Sequence, residues 1–104
     1  MFRGEIYRVR LAPRRGHEPA GARYAVILQT DALLGLSTAI VAPTSTKAAP
    51  ATFRPEIDLL EQPTRVLLEQ LRAVDIERLG EFTGRLSATE QRTVDKALAL
   101  VLDL

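Results

Sequence analysis

Two short apolar runs dominate the pattern, Tyr24-Ala25-Val26-Ile27-Leu28 and Thr38-Ala39-Ile40-Val41-Ala42. Each is too short for a typical helix, is rich in β-branched residues and has Gly or Pro at its margins, so both read as buried strands. Upstream, Gly4 to Leu11 alternates, with Tyr7, Val9 and Leu11 on one side and Ile6, Arg8 and Arg10 on the other. That pattern predicts a half-exposed strand with a basic outer face. Phe53 to Leu59 alternates more weakly, and Pro55 places it at a sheet edge or confines it to the residues that follow. Glu61-Gln62-Pro63-Thr64 reads as a turn. Val66 to Val74 suits a helix by composition and a strand by alternation, and periodicity leaves both open. Phe82 to Leu86 reads as a short final strand. Ser87-Ala88-Thr89-Glu90 then matches a capping box, and Val94, Ala97, Leu98 and Val101 recur at helical spacing, predicting an amphipathic helix over residues 88–102.

The connectors are uneven. Ala12 to Ala22, eleven residues rich in Pro, Gly and Arg, is long for a hairpin loop, and long loops in small domains are more often functional than decorative. Ala32 to Ser37 links the two central strands, broken by Gly35, and Lys47 to Ala51 is a surface loop. The whole predicts one mainly β domain spanning residues 1–104 with a flanking helix.

Composition adds exclusions. With no cysteine among 104 residues, disulfide frameworks, thiolate nucleophiles and cysteine zinc sites are out. The N-terminus has no apolar signal segment and no stretch is long enough to span a bilayer, so the expected location is cytoplasmic, with no membrane partner. Net charge is only +1, but residues 1–23 hold six arginines against Glu5 and Glu18, so that segment carries +4 and the remainder −3. Arginine suits phosphate forks and base stacking better than lysine does. A GC-rich coding sequence explains arginine throughout, but it explains the N-terminal clustering less well.

Candidate chemistry sits at the ends of the two apolar runs. Arg23 stands where a loop enters the first, and Ser45 where the second leaves for Thr46. If these strands are antiparallel neighbours, start meets end and the two side chains share one rim of the sheet. A fixed cation beside the hydroxyls of Thr44, Ser45 and Thr46 is a phosphate site in outline. The lone histidine, His17, reads as a solvated loop residue rather than an acid–base catalyst.

Five blocks then resemble one family: Arg3-Gly4-Glu5-Ile6-Tyr7, Gly16-x-Glu18-x-x-Gly21-x-Arg23, Ala39-Ile40-Val41-Ala42-Pro43-x-Ser45, Leu67-Leu68-Glu69-Gln70-Leu71-Arg72 and Gly84-Arg85-Leu86-Ser87. In order and spacing they resemble the MazF/PemK toxins of toxin–antitoxin pairs, over nearly the whole chain. The resemblance implies a small antiparallel SH3-like barrel of the MazF/CcdB type with a C-terminal amphipathic helix, working as a homodimer. It implies cleavage of single-stranded RNA without a metal or other cofactor, silenced by a cognate MazE-like antitoxin over the RNA groove. It also implies that Val66 to Val74 is a strand. The family's catalytic arginine falls on Arg23, its catalytic hydroxyl on Ser45 and its loop glutamate on Glu18, while its base-holding Glu-Gln pair falls on Glu69 and Gln70. The sequence departs from the family pattern at Tyr24, where proline usually follows the arginine, and at Pro19, where glutamine is common.

RNA cleavage by its own 2′-OH needs a proton acceptor, a proton donor and stabilisation of charge on phosphorus. One histidine per chain excludes a two-histidine mechanism within a subunit. A guanidinium is always protonated in water, so the expected role of Arg23 is charge stabilisation and proton donation. Ser45 is expected to donate to the same phosphoryl group. Glu18 is expected to accept the 2′ proton or to orient Arg23, with a plain salt bridge to an arginine as its equal alternative. Bases would be read by Glu69, Gln70 and the loops around His17 and Lys47, with Arg8, Arg10, Arg14 and Arg15 following the backbone. Two rivals predict intact RNA: a CcdB-like toxin that binds gyrase without catalysis, and an SH3-like interaction module.

Overall fold

The structure, a computed structural model, describes residues 1–11, 21–33 and 35–104. Among these residues the chain forms β1 (Glu5–Leu11), β2 (Gly21–Ile27), β3 (Thr38–Ser45), β4 (Glu56–Leu59), β5 (Gln62–Val66), β6 (Arg72–Asp75), β7 (Leu79–Arg85) and α1 (Ala88–Leu102). The strands pair antiparallel in the order β4-β5-β3-β2-β1-β7, with β6 also on β3. The sheet is a curled half-barrel with one C-terminal helix, as the sequence led us to expect.

β3 organises it. One edge of β3 runs along β2, from Ala25↔Pro43 to Ile27↔Val41. The other edge pairs with β6 over Thr38–Val41 and then with β5 at Thr44 and Ser45. Pro43 lies near this handover: it has no N–H to leave unmade, and its carbonyl accepts from the Leu67 amide at 2.9 Å. The strand therefore continues through Pro43 to Ser45 instead of ending at Ala42.

The central strands are apolar without alternation because the sheet is covered on both faces. Ile6, Val26, Ala42, Ile57, Val66 and Leu68 pack with Val94 and Ala97 of α1, while Val9, Ala25, Ile27, Ala39, Val41 and Val74 form a second cluster. On β1, Val9 (1% exposed) is buried and Arg8 and Arg10 are exposed, as expected, but Ile6 (2%) is buried with the cluster that α1 joins instead of lying on the outer face.

Two other expectations are corrected. The turn expected at Glu61–Thr64 is a two-residue connection, Leu60-Glu61, between β4 and β5. Gln62–Val66 is a strand because β5 meets β3 only through Arg65 and Val66, so Pro63 interrupts no ladder on that side. Val66 to Val74 is neither one strand nor one helix. β5 ends at Val66, the chain turns through a 3-10 turn at Leu68–Gln70, with Leu68 buried, and β6 begins at Arg72.

The first and last sequence blocks are joined in space. The Glu5 carboxylate accepts from the Phe2 amide (2.6 Å), the Tyr7 hydroxyl (2.9 Å) and the Arg85 guanidinium (2.8 Å). Burial pushes its pKa up, but these donors and the N-terminal charge outweigh burial and hold it below its ordinary value. Burial and the bond to Glu5 push the Tyr7 phenol up. Arg3, two residues before β1, donates to the Leu28 carbonyl and to Asp95 of α1, each at 2.8 Å. Gly4 has φ +88° and faces the Gln91 side chain where a Cβ would stand, so only glycine fits this corner. Ser87 and Glu90 form the capping box that the sequence predicts, and the second Glu90 oxygen accepts from the Asp58 amide, tying the helix start to β4.

Candidate functional site

The register of β2 on β3, carried two residues beyond Ala25↔Pro43, sets Arg23 opposite Ser45 with both side chains on one face. Both line one depression of about 280 Å³, together with Tyr24, Thr44 and Thr46. Its far wall is the β4–β5 hairpin, through Leu59, Leu60, Gln62 and Thr64.

Hydrogen bonding sorts the hydroxyls. Thr44, 4% exposed, donates to the Tyr24 carbonyl at 2.9 Å. Thr64, 3% exposed, donates to the Gln62 carbonyl at 3.1 Å. Ser45 does the opposite: its Oγ accepts the Lys47 amide at 3.1 Å, which turns the oxygen toward the backbone and leaves the proton free to donate outward. Thr46 and Lys47 are exposed beside it. Arg23 is exposed, and among the described residues it has no hydrogen-bond or ion-pair partner. An uncommitted guanidinium and an uncommitted hydroxyl proton facing one hollow can hold a tetrahedral anion.

Glu69 and Gln70 do not line this depression. They sit on the 3-10 turn after β5, where Arg54 holds the Glu69 carboxylate through Nε at 2.8 Å and NH2 at 2.6 Å. Arg54 is itself fixed by the Ala49 carbonyl and by the Phe53 ring beneath it. The Gln70 Oε1 is buried and has no hydrogen-bond partner among the described residues. Arg14, Arg15, His17, Glu18 and Pro19 lie outside the described residues. The wall formed by the hairpin was invisible in the sequence, because Glu61–Thr64 carries the residues of a turn and nothing local says that Leu59 and Thr64 flank Arg23.

A curled antiparallel half-barrel with one C-terminal helix is the architecture that this chain shares with MazF-type toxins. The chain aligns with MazF from Deinococcus radiodurans at TM-score 0.83 and 25% identity, covering 100% of this chain and 97% of that one. It also aligns, at TM-score 0.82 and 18% identity, with an endoribonuclease in complex with its cognate antitoxin from mycobacterial species, over 100% and 96% of the two chains. Among curated proteins, a candidate toxin of Mycobacterium tuberculosis is 38% identical over 106 residues, covering 100% of this chain and 99% of that protein. The signature of the PemK-like, MazF-like toxins of type II toxin–antitoxin systems matches residues 2–102, and the chain belongs to that family. Among the described residues, no helix is long and apolar enough to cross a membrane.

Proposed function

We propose that this toxin is a metal-independent endoribonuclease that cuts single-stranded RNA at short motifs. The observation that carries this reading is the shared hollow of Arg23 and Ser45, each with its donor uncommitted. In the reaction, the 2′ oxygen attacks the adjacent phosphorus as it loses its proton, and the bond from phosphorus to the 5′ oxygen breaks. The products are a 2′,3′-cyclic phosphate and a 5′-OH, the leaving oxygen taking up one proton.

Arg23 stabilises the charge that builds on the non-bridging oxygens and is placed to protonate the leaving oxygen. Ser45 donates to the same phosphoryl group. Thr44 holds the Tyr24 carbonyl and so keeps β2 and β3 in register at the site. Glu18 is the carboxylate we assign to the 2′ proton. Arg8 and Arg10, exposed on β1, follow the RNA backbone. We assign Glu69 to base contact only after Arg54 yields it.

The active species is a homodimer in the cytoplasm, silenced by a cognate MazE-like antitoxin laid over the RNA groove. Family membership supports the antitoxin partner. Exposed Leu36, Ile40 and Ile76 support the dimer, since they gather where β3 begins and β6 ends, joined by the bond from the Ile76 amide to the Ser37 carbonyl.

The test is incubation of antitoxin-free protein with a long transcript in EDTA. Cleavage to 5′-OH ends is expected, blocked by one 2′-deoxy substitution at the cut site. Arg23→Ala is expected to lower cleavage about 100-fold or more while leaving the circular-dichroism spectrum and dimer mass unchanged. Uncut RNA across many sequences would return the molecule to a gyrase-binding toxin or an interaction module.

A further inference from the structure

The β4–β5 connection is strained in a way its sequence does not ask for. Leu60 (φ 52°) and Glu61 (φ 63°) are consecutive left-handed residues in a two-residue hairpin turn, a geometry that Asn-Gly adopts readily and that leucine resists. Leu60 is also 59% exposed, so burial does not repay the strain. Such strain persists where the surroundings need the conformation, often at binding sites.

The turn sets Leu60 between two hollows. One is the Arg23–Ser45 depression. The other, about 170 Å³, shares Tyr24 and Leu60 with it and is completed by Arg8, Glu81, Phe82 and Thr83. The register places Arg8 directly opposite Tyr24 on the neighbouring strand. The Phe82 ring stacks edge-on against Tyr7, with centroids 5.7 Å apart. Arg8 and Glu81 carry opposite charges on this second hollow, yet no ion pair joins them or engages either side chain among the described residues. A ligand fitting both must bring an anion and hydrogen-bond donors together, and a nucleotide does so.

We propose that the second hollow is a nucleobase subsite for the residue next to the scissile phosphate. Leu60 and Tyr24 flank the base, Glu81 accepts from its Watson–Crick edge, and Arg8 meets the following phosphate. Guanine fits best, because its ring N–H and amino group lie side by side and can fork onto one carboxylate. Uracil fits worst, its single N–H being flanked by carbonyls that the carboxylate repels. This inference rests on the ribonuclease reading and adds to it the residues that choose the flanking base.

The test uses full-length, antitoxin-free protein and a set of short RNAs varied at each base flanking the mapped cut. Leu60→Asn combined with Glu61→Gly supplies the turn with residues that favour it, so thermal unfolding should move upward or stay unchanged. Its kcat/KM should nevertheless fall about tenfold or more, the scale of losing one base contact. Glu81→Gln should abolish the preference for guanine at one flanking position while leaving other positions as they were. Wild-type kcat/KM in the hairpin variant, or an unchanged base pattern in Glu81→Gln, would overturn the subsite and leave the ribonuclease reading standing. A wild-type protein that cuts no RNA would overturn both.

Discussion

Thr44 and Ser45 are adjacent residues with the same functional group and opposite uses. The Thr44 hydroxyl is buried and spent on the Tyr24 carbonyl; the Ser45 hydroxyl is half-exposed, accepts the Lys47 amide and has its proton to spare. Sequence alone left the catalytic hydroxyl open between Thr44, Ser45 and Thr46, because side-chain alternation assigns faces only when the strand's register is known. The two substitutions should therefore separate. Thr44→Val strands a buried carbonyl and should cost about 1–3 kcal/mol in chemical denaturation. Ser45→Ala should cost under about 0.5 kcal/mol, as surface changes do, yet lower RNA cleavage about 100-fold. Parallel losses of stability in both variants would contradict this division. Arg23 was legible as a candidate from its place just before the first apolar run, although β2 begins at Gly21 and sets it within the strand; its freedom from any partner among the described residues was not legible.

At the scale of elements, α1 was the most legible part of the chain, since its cap and its apolar spacing are local properties. The structure adds the link from Glu90 to the Asp58 amide, which makes the cap a tertiary joint. Ser87→Ala should destabilise the protein by about 1 kcal/mol, read as a fall in the thermal midpoint with RNA cleavage per folded molecule unchanged. The β4–β5 hairpin was least legible. Its proline-bearing return strand and its leucine–glutamate tip violate the usual turn chemistry, and only pairing with β3 and β4 compensates. Val66 to Val74 was ambiguous for a related reason: it contains a strand end, a 3-10 turn and a new strand, and no single period describes three elements.

At the scale of the molecule, Glu5 and Arg85 pin β7 to β1, joining the first strand to the last. Glu5 is held below its ordinary pKa, so its contribution is full above the unfolded-state value and is lost as pH falls through the lower folded-state value. Stability should thus decline through the acid range below ordinary carboxylate titration. Glu5→Gln should lose about 1–3 kcal/mol near neutral pH and show a shallower acid decline, measured by denaturant unfolding across pH. Equal slopes in the two proteins would remove Glu5 from the acid response. The chain by itself determined the β class, the central strand pair, the C-terminal helix and Arg23 as the cation of the candidate phosphate site, because burial periodicity, capping and motif spacing are properties of nearby residues. Only the tertiary structure decided which hydroxyl is free, that Arg54 occupies Glu69, and that a strained hairpin walls the site. Those depend on the register of strands distant in sequence and on which hydrogen-bond partners that register leaves unmade.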